Sequence, residues 1–522
     1  MKGISRREFI NKSSLLAGSS YTAMLGLGLL QAAPAISRSH SPTGAEAGKK
    51  IIILGAGLAG MASAYELGKL GYDCTILEAR PRAGGRIWTV RKGTKETEIN
   101  GKEQICNFDE GLYINAGAAR VPHHHEISLK YCKEFGIAME VFTNVNEAAY
   151  YYSQGKGPLA NKSVQIRHIH NDFRGYTCEL LAKAIDQKAL DLPMSQDDVD
   201  KLMEYLKAEG DLNIDKMYKS SERRGYKINP GAGRKPGEYA DPNQLREILY
   251  SGFTHPAFQN VGEYTYNQQP VMLQPVGGMD QIPRAFEKRV KEKIVYQAEV
   301  KEIRKKENGV NIVYKDKNGL VQELKGDFCI CTIPLPVLKG ITSDLSPQVK
   351  KAAESVPYMN TGKIGLQFKR RFWEEDDHIY GGITKTNMNI TQIFYPSTGF
   401  LTQKGVLVGY YHFHHMAAEM GNLSLVEREK RALLEGGKIH PQYPAEFENS
   451  FSFAWQNIPF SQGGWAAYTN EIRKEHYESL LEPDGNIYFA GEHTTYLTAW
   501  MAGAFTSAHN VVDAIHQRVI KN

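Results

Sequence analysis

Residues 50–89 read KIIILGAGLAGMASAYELGKLGYDCTILEARPRAGGRIWT. The apolar run 51–54 is short and β-branched, as a strand buried on both faces requires. Glycines stand at 55, 57 and 60, and residues 58–70 then carry apolar side chains at helical spacing. A second apolar run, 74–77, ends on Glu78. Strand, glycine turn, helix, strand and acid in that order make a βαβ unit. Such a unit sets a pyrophosphate on a helix N-terminus and holds a ribose hydroxyl with a carboxylate. Gly55, Ala56, Gly57, Leu58, Ala59, Gly60 and Glu78 are therefore the expected contacts to a dinucleotide.

The residues just past the acid narrow the cofactor. Ala79, Arg80, Arg82, Gly84, Gly85 and Arg86 follow as EARPRAGGRIWT. Paired glycines let backbone approach a flat ring or a phosphate, and arginines neutralise phosphate charge. Nicotinamide dehydrogenases do not usually carry this second block. It resembles the flavin amine oxidase family, in which a similar ExRxRxGGRxxT segment lines FAD.

The rest of the composition excludes several classes. At 522 residues the chain is long enough for two or three domains with sizeable cores. Its formal net charge is +5, of which Lys2, Arg6, Arg7 and Lys12 against Glu8 supply +3. The remaining balance gives no case for nucleic acid or an anionic membrane as partner. The six cysteines show neither a CxxC pair nor zinc spacing, and Cys329 and Cys331 share one face of a strand-like run. They read as buried free thiols, and no metal is expected. His123, His124 and His125 are adjacent and cannot all face one site.

Residues 1–35 read as a secretion signal: a basic start, an apolar stretch over 15–30, and Ala33-Pro34-Ala35 as a small-x-small cleavage pattern. Ser5-Arg6-Arg7-Glu8-Phe9-Ile10 resembles a twin-arginine signal, which implies export of an already folded, FAD-loaded protein to the periplasm or beyond. Residues 36–48, rich in Ser, Pro, Gly and Ala, read as a linker.

Further family-like segments return along the chain. Asn115-Ala116-Gly117-Ala118-Ala119-Arg120 is small-residue-rich and ends in a cation. In amino-acid oxidases and tryptophan monooxygenases of the superfamily a similar segment contacts FAD and places the arginine on the substrate carboxylate. A buried carboxylate needs such a bidentate, always-charged partner. LQPVGGMDQIPRAF, at 273–286, resembles the family's PxGGMxxLPxA turn. Strands are expected at 294–300, 310–314 and 320–324, with an Asn318-Gly319 hairpin turn, and Val300 is the implied adenine contact. Helices are expected at 127–135 and 177–189, a loop at 225–241, and a buried strand at 328–334.

Lys363, in the alternating run 361–368, matches the family lysine that holds a water against the flavin. In GVLVGYYHFHH, at 405–415, the resemblance favours Tyr410 over Tyr411 as a carboxylate donor. Gly491 and Glu492 match the last FAD motif, and the closing helix, 503–516, would aim its N-terminus at the flavin. Trp465 and Trp500 match the two aromatics that form a slot for the amine, with Ala499 and Met501 beside them. Gly464 stands where some relatives carry a cysteine that tethers FAD, which implies non-covalent binding.

The expected fold is α/β: a discontinuous Rossmann-like FAD-binding domain (49–125, 269–352, 466–522) with an inserted α+β substrate domain (126–268, 353–465). The resemblance implies an L-amino-acid oxidase, with hydride transfer to flavin N5 and products 2-oxo acid, ammonia and hydrogen peroxide. Implied partners are an L-amino acid, O2, the twin-arginine export machinery and a second copy of the chain, with no lasting membrane association. A monoamine or polyamine oxidase, a tryptophan 2-monooxygenase and a flavin-bearing binding module stay open as alternatives.

Overall fold

The computed structural model describes residues 48–190, 194–259 and 265–521. The expected signal (1–35) and all of the expected linker except Gly48 lie outside the described residues. Two sheets organise the chain. The first has five parallel strands in the order Ile294–Tyr296, Asp73–Glu78, Lys50–Leu54, Phe328–Cys331, Ile487–Phe489. Its strands come from three distant parts of the sequence, and they pair because each is apolar on both faces. Ile51 and Ile53 point into a core built with the helices Leu58–Lys69, Gln281–Val290 and Met501–Lys521. Ile52 and Leu54 point the other way, with Cys329 and Cys331, under an antiparallel sheet made by Glu299–Lys306, Gly309–Lys315 and Val321–Gly326. All six cysteines are buried free thiols.

The expected strand over 294–300 is two strands. Gln297 takes a left-handed backbone (φ 55°), and the amides of Gln297 and Ala298 bond the carbonyls of Arg80 and Glu78. Ile294–Tyr296 therefore closes the edge of the parallel sheet, and the chain turns before Glu299–Lys306 opens the antiparallel one. Two smaller differences arise in the inserted region. The helix expected at 177–189 spans Ile166–Asp186, and the loop at 225–241 contains the short pair Tyr226–Ile228 and Glu238–Tyr239.

The second sheet has seven strands, ordered Phe447–Ala454, Thr361–Phe368, Gly405–Phe413, Gln392–Tyr395, Gly382–Thr386, Tyr150–Tyr152, Ser163–Gln165. Thr361–Phe368 is buried at every position. Ile364, Leu366 and Phe368 face a core shared with Trp373, Ile169 and Ile439, and the alternate residues Lys363, Gly365 and Gln367 face the segment 108–117.

Between the hairpin Lys95–Thr97/Glu103–Ile105 and the helix Leu425–Ile439 lies a fully buried ion pair. Arg428 donates to Glu98 through Nη1 and Nη2 at 2.5 and 2.8 Å, and to the carbonyls of Met420 and Gly421. Removing one partner strands the other charge in the interior. Arg428→Met should lower stability by about 3–5 kcal/mol, read in urea unfolding, and Glu98→Leu in the same chain should restore much of the loss.

Candidate active site

The turn after the first strand builds an anion seat. The helix Leu58–Lys69 starts from Gly57, which is extended, offers no side-chain cap and has open space where a Cβ would stand. Among the described first-turn residues there is no acid. The helix can begin this close to the strand because a Cβ on Gly60 would sit 2.0 Å from the Gly55 carbonyl oxygen. Glu78 closes the turn: its Oε2 accepts from the Ala56 amide and its Oε1 from the Arg80 amide, both at 2.8 Å.

This seat opens into a cavity of about 820 Å³. One part is lined by Gly55, Gly57, Leu58, Ala59, Glu78, Ala79, Arg80, Gly84, Gly85, Arg86, Val300, Gly491 and Glu492. Arg80 is steadied by Ser461 Oγ at 2.9 Å and by the Pro459 carbonyl. Arg86 donates to Glu492 Oε1 and to the Gly464 carbonyl, each at 2.8 Å. Open helix N–H groups, two arginines and an acid at the strand end fit a dinucleotide pyrophosphate and ribose, as FAD carries. Ala56 and Gly60 do not line the cavity. Ala56 is buried with its N–H committed to Glu78, and Gly60 packs against Gly55, so both shape the turn from behind.

The same cavity continues to Gly117, Ala118, Ala119, Arg120, Lys363, Trp465, Ala499, Trp500 and Met501. The fold thus gathers these residues from four separate segments. Lys363 is 2% exposed, and its Nζ donates to the carbonyls of Asn115 and Gly117 at 3.1 and 2.6 Å. Burial, reinforced by the positive charge of Arg120, pulls its pKa down to about 7. The Arg120 guanidinium lies over Phe142 and Phe394 at 5.6 and 5.4 Å and donates through Nη2 to Gln268 Oε1 at 2.6 Å. Trp465 meets Phe413 edge-on, and Trp500 meets His125 edge-on.

The expectation for Tyr410 is corrected by a β-bulge. Ile364 pairs with Tyr410 but the next residue, Gly365, pairs with Val408, so Gly409 is left over. An extra residue inverts the alternation beyond it. Tyr410 consequently joins Ile364, Leu366 and Leu407 in the core behind the sheet, fully buried. Tyr411 pairs with Lys363, turns to the cavity and lies 4.5 Å under the lysine ammonium nitrogen. A Cβ at 409 would meet Leu366 Cδ1 at 2.4 Å, so this bulge needs glycine.

Other lining residues were not anticipated from the sequence. Thr332, Ile333, Pro334 and Val337 follow the strand Phe328–Cys331, at the carboxyl end of the parallel sheet where such folds open their crevice. That strand end was a readable signal. Gln268 and Gln392 had none, since only tertiary packing turns them inward.

Comparison with known proteins agrees with this arrangement. A family model described as flavin containing amine oxidoreductase matches residues 58–516. YobN of Bacillus subtilis (strain 168), provisionally named an L-amino-acid oxidase, is 28% identical over 90% of this chain and 95% of its own. An L-amino-acid oxidase of Pseudechis australis is 25% identical over 88% and 85%. Among solved structures, putrescine oxidase bound to putrescine (TM-score 0.58, 17% identity) and the cyclohexylamine oxidase of Brevibacterium oxydans IH-35A (0.59, 15%) each cover 90% of this chain and 99% of their own, and share its fold. A βαβ anion seat, a cavity that joins it to a buried lysine, and a family match over nearly the whole chain lead to one conclusion: this protein belongs to the flavin containing amine oxidoreductase family.

Proposed function

We propose that this enzyme is an L-amino-acid oxidase that holds FAD non-covalently and releases 2-oxo acid, ammonia and hydrogen peroxide. The observation that carries this reading is Arg120, a guanidinium in the same cavity as Lys363 and both tryptophans. A cation there suits a substrate carboxylate, which can take it bidentately, and disfavours an amine with no negative charge. Tyr411 supplies a hydroxyl on the same wall for a second bond to that carboxylate. Trp465 and Trp500 exclude water and orient the amine end of the substrate.

Lys363 keeps its place by donating to two carbonyls. In its neutral form the amine retains a lone pair that can hold a water and accept its proton. FAD, when bound, supplies the acceptor for the substrate's Cα hydride and passes the electrons to O2. Non-covalent attachment is supported at Gly464, where a Cβ would meet Thr361 Cγ2 at 2.5 Å, so no cysteine fits that position unchanged. None of the six cysteines lines the cavity. Export to the periplasm or beyond rests on residues 1–35: the twin-arginine-like Ser5–Ile10 segment, the apolar stretch after it and the Ala33-Pro34-Ala35 cleavage pattern.

Three outcomes test the proposal. Purified protein should release peroxide with L-amino acids, and turnover of simple amines but not of amino acids would overturn it. Arg120→Ala should lower kcat/KM on the order of 10²–10³-fold. Tyr411→Phe should raise KM for amino acids about tenfold or more, while Tyr410→Phe leaves it near the wild-type value.

Lys363 gives a fourth. Its folded pKa of about 7 lies below the ordinary 10.5, so the unfolded chain binds the proton more tightly. The resulting cost to the fold is fully present below pH 7, shrinks steadily as the pH rises from 7, and is essentially gone by 10.5. Lys363→Met should therefore raise the melting temperature, most at low pH, while lowering kcat. An equal stabilisation at pH 6 and pH 10 would contradict this assignment.

A further inference from the structure

Gln268 lines the cavity beside Arg120, and its Oε1 accepts from Arg120 Nη2 at 2.6 Å. The same oxygen accepts from Asn144 Nδ2 at 3.4 Å. Asn144 is 1% exposed, and its own Oδ1 has no hydrogen-bond partner among the described residues. A buried amide oxygen left in that state costs free energy and calls for a physical reason.

A substrate carboxylate arriving at Arg120 supplies one. It competes with Gln268 Oε1 for the same guanidinium N–H and repels that oxygen. A half-turn of the Gln268 amide exchanges oxygen for a nitrogen that carries two donors. One N–H then meets the carboxylate. The other points to Asn144, whose amide turns in step and brings the partnerless Oδ1 onto a donor. In each state the pair offers complementary groups, and no proton or electron is transferred.

We propose that Gln268 and Asn144 form a two-position amide pair that makes the site selective for amino acids over plain amines. With no carboxylate bound, the Gln268 oxygen occupies the guanidinium. Only a carboxylate both displaces that oxygen and gains the bond from Nε2. An amine does neither, so it meets a guanidinium still held by the amide. This inference rests on the amino-acid oxidase reading above.

The test compares KM for L-phenylalanine and for 2-phenylethylamine, which share the ring and differ in the carboxylate. Gln268→Glu keeps the shape but can only accept, so it stays on Arg120 and resists exchange. It should raise KM for L-phenylalanine on the order of 100-fold, leave KM for the amine level or lower, and leave FAD content and melting temperature unchanged. Asn144→Leu removes the second acceptor and should raise KM for the amino acid several-fold without moving the amine.

Equal shifts for both substrates, or no shift in Gln268→Glu, would overturn the inference. If the wild-type protein oxidises only the amine, the oxidase reading falls and takes this one with it. If it oxidises L-phenylalanine and Gln268→Glu does so with unchanged KM, only the amide pair is wrong.

Discussion

The nucleotide seat, and with it the head of the cavity, depends on how closely the helix Leu58–Lys69 approaches the strand before it. Gly60 lies against the Gly55 carbonyl, with no room for a methyl group between them. That contact puts the first open N–H groups of the helix at the carboxyl edge of the parallel sheet. Glu78 then fixes the turn by accepting two backbone amides, one on each side. A larger residue at position 60 would lift the helix, and the seat for a pyrophosphate would lose both its dipole and its shape.

A second constraint is electrostatic. The cavity concentrates cations, Arg80, Arg86, Arg120 and Lys363, and each has to be held in a partly dry setting. The solution differs by position. Arg86 has a carboxylate partner in Glu492, and Arg80 and Lys363 rest on neutral oxygens. Neutral partners orient a cation without cancelling its charge, so the field stays available to a phosphate or a carboxylate. For Lys363 burial, with Arg120 nearby, leaves a depressed pKa, as the base role proposed for it requires.

The alternation rule shows where sequence reading succeeds and where it stops. Residues 51–54 were legible as a continuous apolar run, whose side chains divide between two cores, and residues 361–368 as an alternating run, whose Ile364, Leu366 and Phe368 share one core. The pair at 410 and 411 was not, although Gly409 inside the strand is the usual mark of a bulge. Whether a strand glycine is bulged depends on the partner's register, here the pairing of Gly365 with Val408. The split at Gln297 escaped for the same reason: the break is imposed by bonds to Arg80 and Glu78, more than two hundred residues earlier.

The nucleotide seat, the family resemblance and just under half of the residues that line the cavity were readable from the sequence alone. Those depend on local order: glycines at set intervals, an acid at a strand end, a strand period of two. Tertiary structure alone set which tyrosine lines the cavity, which amide meets Arg120, and how Lys363 is held. Each of these is set by a neighbour distant in the chain, through strand register or a cross-sheet hydrogen bond, and no local pattern encodes such a partner.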